Sequence, residues 1–155
     1  LTTSATGAGR QEVSPFVPSH TLTIDQIGVS VSLAGAGTAC GLIFDADADG
    51  RPSTLLAQSA PISVGTSPAT MFGSCPFTFA AGKLYWVGCW AGVNCTLRVP
   101  QTSDGLNLSW AYGATPVRQG TLRRIQTYGG TSSDWVYSAD QHTSAGAPFL
   151  LFRVA

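Results

Sequence analysis

The chain has 155 residues, the size of one ordinary domain with its own hydrophobic core. Its 8 basic and 8 acidic side chains give zero net charge, which argues against a nucleic-acid partner because phosphate contacts need clustered Lys and Arg. Only 10% of residues are charged, and no apolar run approaches membrane-spanning length, so we expect an extracellular or virion-surface domain without membrane insertion.

The first eleven residues differ from the rest of the chain. Residues 1–11 are mostly small and polar and lack apolar periodicity, which predicts a flexible linker or an extended arm. From Glu12 onward, short segments show apolar side chains with a period of two, separated by turns and by a polar stretch at 101–120, which predicts a single domain of β-strands over residues 12–155. Within residues 22–33 this alternation slips at Asp25 and Gln26, which predicts a β-bulge or a strand break.

Turn residues divide the rest of the domain into short alternating segments, including one at 71–79 that we expect Pro76 to break. Residues 123–128 and 135–137 are predicted to be short strands, and residues 148–155 a closing strand. Short strands between turns predict an all-β fold, an antiparallel jelly-roll-like β-sandwich with little or no helix.

The clearest predicted hairpin spans residues 83–99, with its turn at 91–93. In that register Cys89 lies opposite Cys95 on the core side, at a Cα separation of roughly 4.5–5.5 Å that suits a disulfide. Cys89 and Cys95 are therefore the candidate disulfide, and two buried free thiols are the alternative. The remaining cysteines, Cys40 and Cys75, would form the second pair.

The opposite face of this predicted hairpin carries Leu84, Trp86 and Trp90. Strand residues alternate between two faces, and one face of a hairpin is usually solvated. Because this face is not plainly polar, we expect it to pack against another element or another subunit.

A run of alternating carboxylates, Asp45, Asp47 and Asp49 before Gly50, resembles the start of a calcium loop. The twelfth position of such a loop would need a bidentate Glu, and Leu56 stands there instead. Asp and Gly are also favoured in solvated β-turns. Calcium is therefore possible at these three residues, but the β-turn is the favoured interpretation and no cofactor is predicted.

Motifs for catalysis and for zinc are missing from the sequence. There is no nucleophile elbow, phosphate loop or His-Glu-x-x-His, and the lone Glu12 offers no carboxylate pair for glycoside hydrolysis. The four cysteines include no Cys-x-x-Cys, and only His20 and His142 could add imidazole ligands. We therefore predict that the protein is not an enzyme.

Aromatic side chains among amides, hydroxyls and glycines are the most suggestive binding feature. Flat rings stack on the C–H faces of sugars, and uncharged polar groups hydrogen-bond to sugar hydroxyls. The alternative is that these rings are core residues, since sandwich cores use Trp and Tyr heavily. The predicted ligand-binding residues are Trp110, Tyr112, Tyr128, Asp134, Trp135, Gln141 and His142.

The order of the motifs carries a family resemblance. The segments are VSVSLAGAG at 29–37, GLIF at 41–44, GRPSTLL at 50–56, GKLYW at 82–86 and APFLLFRVA at 147–155. Over residues 12–155 this pattern resembles the C-terminal receptor-binding β-sandwich domains of phage tail fibres and minor tail proteins. The resemblance implies a homotrimeric tip of a virion appendage that contacts other tail proteins and a host surface. It implies no fixed catalytic residue and no inherited site residue.

We therefore expect a non-catalytic receptor-binding domain, an adhesin of a phage tail or phage-like particle, that recognises host cell-surface glycan. Its location would be the virion surface, where it acts outside the cell. Two alternatives remain open at this point. One is a capsid decoration or head-spike protein, and the other is a carbohydrate-binding module of a secreted bacterial hydrolase.

Overall fold

The computed structural model describes residues 2–99, 122–138, 141 and 150–155. Over these residues the chain forms two antiparallel sheets, which is the predicted all-β sandwich. No helix in this part of the chain is long and apolar enough to cross a membrane. The strands are β1 (Thr2–Thr6), β2 (Arg10–Phe16), β3 (Leu22–Leu33), β4 (Thr38–Ala46), β5 (Pro52–Gln58), β6 (Ile62–Ser63), β7 (Ala69–Phe79), β8 (Tyr85–Ala91), β9 (Cys95–Val99), β10 (Leu122–Ile125) and β11 (Leu150–Val154).

The sandwich consists of sheet I, with the order β1-β9-β3-β11, and sheet II, with the order β10-β2-β8-β4-β5. In sheet I, β7 pairs with the other edge of β3, and in sheet II, β6 pairs with the end of β4. The core between the sheets contains Val29 and Val31 of sheet I packed with Ala39 and Cys89 of sheet II. Alternation along each strand places these side chains on the inner faces.

Sheet II is buried on both faces. Its outer face carries Phe44, Trp86 and Trp90, all fully buried. Residues 126–138, which we call the cover segment, lie over these rings and contribute Tyr128 and Trp135 to the same apolar cluster. This explains why β8 is apolar on both sides, and it confirms that the Trp86 and Trp90 face packs against another element.

The phase slip in β3 is a β-bulge, as predicted. Against β11, Gln26 pairs with Arg153 and Ile24 with the adjacent Val154, so β3 has one extra residue there. Against β7, Ile24 pairs with Phe77 and Gln26 with Ser74, so two residues of β7 lie opposite Asp25. Pro76 is one of those two residues, so its missing N–H removes no regular ladder bond. For this reason β7 continues through Pro76, and the expected break there was wrong.

The predicted hairpin over residues 83–99 is also wrong. Strand β8 lies in sheet II and β9 in sheet I, so the chain crosses between the sheets at residues 92–94. Cys89 pairs with Glu12 and Gly41, while Cys95 pairs with Thr6. All four cysteines are buried free thiols, so the candidate Cys89–Cys95 disulfide is replaced by its alternative.

The predicted linker at residues 1–11 is largely part of the sandwich. Thr2–Thr6 forms β1 at the edge of sheet I, where it pairs with β9, and Arg10 begins β2. An edge strand is held by backbone hydrogen bonds, which small polar residues can make without an apolar pattern. Backbone pairing of this kind leaves no signal in the periodicity of side chains.

Candidate functional site

The predicted ligand-binding residues fall into two groups. Trp110, Tyr112 and His142 lie outside the described residues. The others lie in or beside the cover segment, on the outer face of sheet II; they are Tyr128, Asp134, Trp135 and Gln141.

Tyr128 is packed against sheet II. Its ring centroid is 4.9 Å from that of Trp90 in an edge-to-face arrangement. Its hydroxyl lies 3.0 Å from Thr38 Oγ1 and 3.2 Å from Cys40 Sγ. Burial raises the pKa of Tyr128 to about 12, so the phenol is neutral and fixes the cover segment to β4.

Trp135 is only 4% exposed, and its ring meets that of Phe44 edge-to-face at a centroid distance of 5.5 Å. Its backbone N–H donates to the Ser53 carbonyl at 2.7 Å, while its Nε1 donates to Gln141 Oε1 at 2.8 Å. Residues 135–137 therefore follow the edge of β5 without forming the predicted strand. A ring in this position serves packing and has little surface for stacking on a sugar.

Asp134 and Gln141 also bond within the chain. Asp134 Oδ1 accepts a hydrogen bond from the Leu55 backbone N–H at 2.8 Å. The Gln141 side chain donates from Nε2 to the Val136 carbonyl at 3.0 Å, in addition to accepting from Trp135. These two side chains hold the cover segment in place. The polar atoms named here, Asp134 Oδ1 and both the oxygen and the nitrogen of the Gln141 amide, are bonded within the protein and not directed at a ligand.

Arg124 is the residue that sequence reasoning missed. Its Nη1 donates to the Asp134 carbonyl at 2.7 Å and its Nη2 to the Ser133 carbonyl at 2.7 Å, while Nε donates to Gln11 Oε1. Burial lowers the pKa of Arg124 to about 10, against a raising effect from Asp134, so it stays charged at neutral pH. The sequence did contain a signal for this role. Arg123 and Arg124 are adjacent, and adjacent residues of a strand point to opposite faces, so one of the two arginines had to lie on the outer face of the sheet.

Its neighbour Arg123 faces the interior between the sheets. There its Nε donates to Glu12 Oε1 at 2.7 Å, and the Glu12 side chain is only 1% exposed. Glu12 Oε2 is buried without a hydrogen-bond partner. Burial raises the pKa of Glu12, and the charge of Arg123 only partly opposes that effect. The pair thus anchors the inner side of β10 while Arg124 anchors its outer side.

The three carboxylates of the possible calcium loop have separate partners. Asp45 pairs with Lys83 at 2.9 Å and Asp49 with Arg51 at 3.0 Å, whereas Asp47 Oδ1 accepts backbone N–H bonds from residues 49 and 51. Gly50 has a φ of 76°, the left-handed conformation that glycine adopts readily in a turn. Among the described residues no three potential metal ligands cluster, and the backbone N–H of Gly50 donates to the Asp47 carbonyl within this turn.

The described side chains offer little for covalent chemistry. Burial raises the pKa of the thiols of Cys40, Cys75 and Cys89, which suppresses the nucleophilic thiolate. His20 Nδ1 lies 3.1 Å from the Ser19 hydroxyl, and no carboxylate of the described residues forms an ion pair with that imidazole.

No protein-family model matches the chain, and no curated protein sequence is significantly similar to it.

Proposed function

We propose that the protein is a non-catalytic receptor-binding domain of a phage tail or phage-like particle, which recognises host cell-surface glycan. It would act at the virion surface as a homotrimer attached to other tail proteins. The resemblance over residues 12–155 supports assignment to a phage particle. The two-sheet scaffold, which is suited to positioning binding segments, supports a binding role.

One observation carries this proposal: residues 100–121 join β9 of sheet I to β10 of sheet II. The two flanking strands are packed into the sandwich, because Leu97 of β9 and Leu122 of β10 are fully buried. In addition, Arg123 and Arg124 form hydrogen bonds on the two faces of β10. Binding residues are often carried on loops that a rigid scaffold positions. We therefore assign the binding residues to the polar sequence between these two strands.

The composition of the same segment supports a glycan ligand. Residues 100–121 contain Trp110 and Tyr112 among Ser, Asn, Gln, Thr and Gly residues. Asp104 and Arg118 are the only charged residues in that range of the sequence. The aromatic residues of the cover segment are used in packing, so the proposal rests on Trp110 and Tyr112. Rings beside uncharged donors and acceptors suit the C–H faces and hydroxyls of sugars.

The experiment compares two double variants for binding to intact host cells and to a glycan array. Trp110→Ala with Tyr112→Ala removes both rings, whereas Thr102→Ala with Thr115→Ala is the matched control in the same segment. We expect the aromatic variant to lose at least about tenfold in affinity and the control to bind like the wild type. Unchanged binding by a folded aromatic variant would contradict the proposed site.

The two alternatives give different results in the same assays. A capsid decoration or head-spike protein would bind neither cells nor glycans. A carbohydrate-binding module would bind glycans as a single chain, whereas the proposed tail domain would elute in light-scattering chromatography with the mass of three chains. A monomeric glycan binder would therefore argue against the particle assignment.

A further inference from the structure

A cleft of about 280 Å³ opens at the end of the sandwich where β1 turns into β2 and β8 crosses to β9. Its volume lies just below the roughly 300–1,000 Å³ of pockets for drug-sized ligands, so it suits a single small unit. The lining combines apolar side chains with hydroxyl, amide and guanidinium groups; it consists of Ala5, Thr6, Gly7, Arg10, Leu33, Ala34, Asn94, Cys95 and Thr96.

The walls of this cleft are tied to one another. Asn94 Oδ1 accepts a hydrogen bond from the Ala8 backbone N–H at 3.0 Å, which joins the β1–β2 turn to the β8–β9 crossing. Gly35 packs so closely on that crossing that an added β-carbon would lie 2.1 Å from the Asn94 carbonyl oxygen. The cleft is therefore pre-formed, and the Asn94 side chain, which lines it, carries Nδ2 donors besides the oxygen bonded to Ala8.

Among the described residues that line the cleft, Arg10 is the charged one. Its guanidinium lies against the backbone of Gly7, where an added β-carbon would come within 3.1 Å of Nε. The nearby carboxylate of Glu12 is bonded to Arg123, and none of the described residues forms an ion pair with Arg10. The charge of Arg10 also acts on Glu12, whose pKa it lowers, and from the cleft side the guanidinium can attract an anion that enters from outside.

We propose that this cleft binds the acidic sugar unit of a glycan, with the carboxylate on Arg10. The hydroxyl of Thr96 and the amide of Asn94 would hydrogen-bond to sugar hydroxyls, while Leu33 and Ala34 contact the apolar face of the ring. This inference rests on the proposed function, to which it adds a ligand class and a site separate from Trp110 and Tyr112. Since Leu33 is 64% exposed, the apolar wall is open to a ligand.

The first test titrates ¹⁵N-labelled protein with methyl β-D-glucuronide and, separately, with methyl β-D-glucoside. The two probes differ only in the carboxylate that Arg10 would bind. We expect saturable amide shifts at Gly7, Ala34 and Cys95, with the glucuronide binding about tenfold more tightly. Equal binding of the two probes, or no saturable shift at these amides, would overturn the inference.

Three variants then test the role of each wall. Arg10→Gln should weaken glucuronide binding about tenfold by removing the cation, and Ala34→Phe should block the cleft without touching the buried core. Arg98→Gln is the matched control, because it removes one exposed positive charge from a residue that does not line the cleft. If Arg98→Gln lowers binding as much as Arg10→Gln, the attraction is a general charge effect and the assigned site is wrong.

Host-cell binding separates failure of this inference from failure of the proposed function. Wild-type protein that binds cells, together with an Arg10→Gln variant that binds them equally well, would overturn the cleft and leave the adhesin role standing. Wild-type protein that binds no cell would overturn the adhesin role itself. Loss of cell binding in Arg10→Gln but not in Arg98→Gln supports both.

Discussion

The guanidinium carbon of Arg124 lies 4.5 Å from the ring centroid of Trp135, and this contact joins the two ends of sheet II's outer face. Arg124 belongs to β10, at one edge of the sheet, while the backbone of Trp135 is bonded to β5 at the other edge. Between them lie Phe44 and Trp90, which the cover segment shields from water. Arg124 thus helps to hold the cover segment over the apolar cluster on the outer face of sheet II.

Replacing Arg124 with Lys should loosen the cover segment. Lysine keeps the charge but loses the planar group that stacks on Trp135 and donates to two carbonyls at once. We expect a loss of about 2 kcal/mol in the free energy of unfolding, measured with urea. Hydrogen exchange should also accelerate at the Trp135 amide, which donates to Ser53.

Arg98→Lys is the control for that change, because Arg98 is exposed on β9 and far from the cover segment in the sheet order. It should leave both measurements unchanged within about 0.5 kcal/mol. If Arg124→Lys unfolds at the wild-type urea concentration with the same Trp135 exchange rate, Arg124 does not anchor this segment.

The pH dependence of stability should report on Glu12. Its pKa in the folded protein lies above the ordinary value of 4.5 because of burial, so the folded state holds the proton more tightly than the unfolded state. The stability linked to Glu12 is therefore fully present below pH 4.5 and is lost as the pH rises through the folded pKa.

Glu12→Gln removes this proton linkage and keeps the shape of the side chain. The difference in unfolding free energy between Glu12→Gln and wild type should therefore shift in favour of the variant between pH 4 and pH 8. Arg123 is partly exposed, so its guanidinium can reach water when the carboxylate is gone. A difference that shifts in favour of wild type as the pH rises would mean that the ion pair outweighs burial at Glu12.

Side-chain periodicity predicted the faces of the strands better than their partners. It placed the bulge at Asp25 and Gln26 correctly, because a two-residue period defines which side chains point inward. It assigned Cys89 and Cys95 to the core correctly as well. The pairing failed because a strand that crosses to the facing sheet can have the same alternation as a strand that turns back in a hairpin.

The candidate site was harder to predict for a related reason. The rings of Tyr128 and Trp135 sit among polar residues in the sequence, which is also the pattern of a sugar-binding loop. Here those polar neighbours, including Asp134 and Gln141, satisfy the backbone and side chains of a segment that lacks regular strand pairing. Composition cannot distinguish a polar group that serves its own chain from one that serves a ligand.

The cysteines should behave as four unreactive thiols. Burial raises the pKa of Cys75 to about 11 and that of Cys89 well above its ordinary value, so few thiolates exist at pH 8. Native protein should react slowly with a colorimetric disulfide reagent. In guanidinium chloride, each protein chain should release four equivalents of the coloured thiolate from that reagent, one for each free cysteine. Only two equivalents in denaturant would reveal a disulfide and contradict the assignment of four free thiols.

The turn at residues 47–51 should depend on an acceptor oxygen and not on a metal. Asp47→Asn keeps an oxygen that can accept from the N–H groups of Asp49 and Arg51, so its stability should stay near that of wild type. Asp47→Ala removes that acceptor and should cost about 1 kcal/mol. Neither calcium nor EDTA should change the melting temperature, and a drop in EDTA would instead support a calcium loop.

The central claim is that a folded, non-catalytic domain binds host glycan. Its most direct test incubates the pure protein with purified host surface polysaccharide and measures both binding, by calorimetry, and chain length, by size-exclusion chromatography before and after. The account predicts saturable binding and an unchanged polysaccharide. A shortened polysaccharide, or no binding by protein whose melting curve is intact, would contradict it.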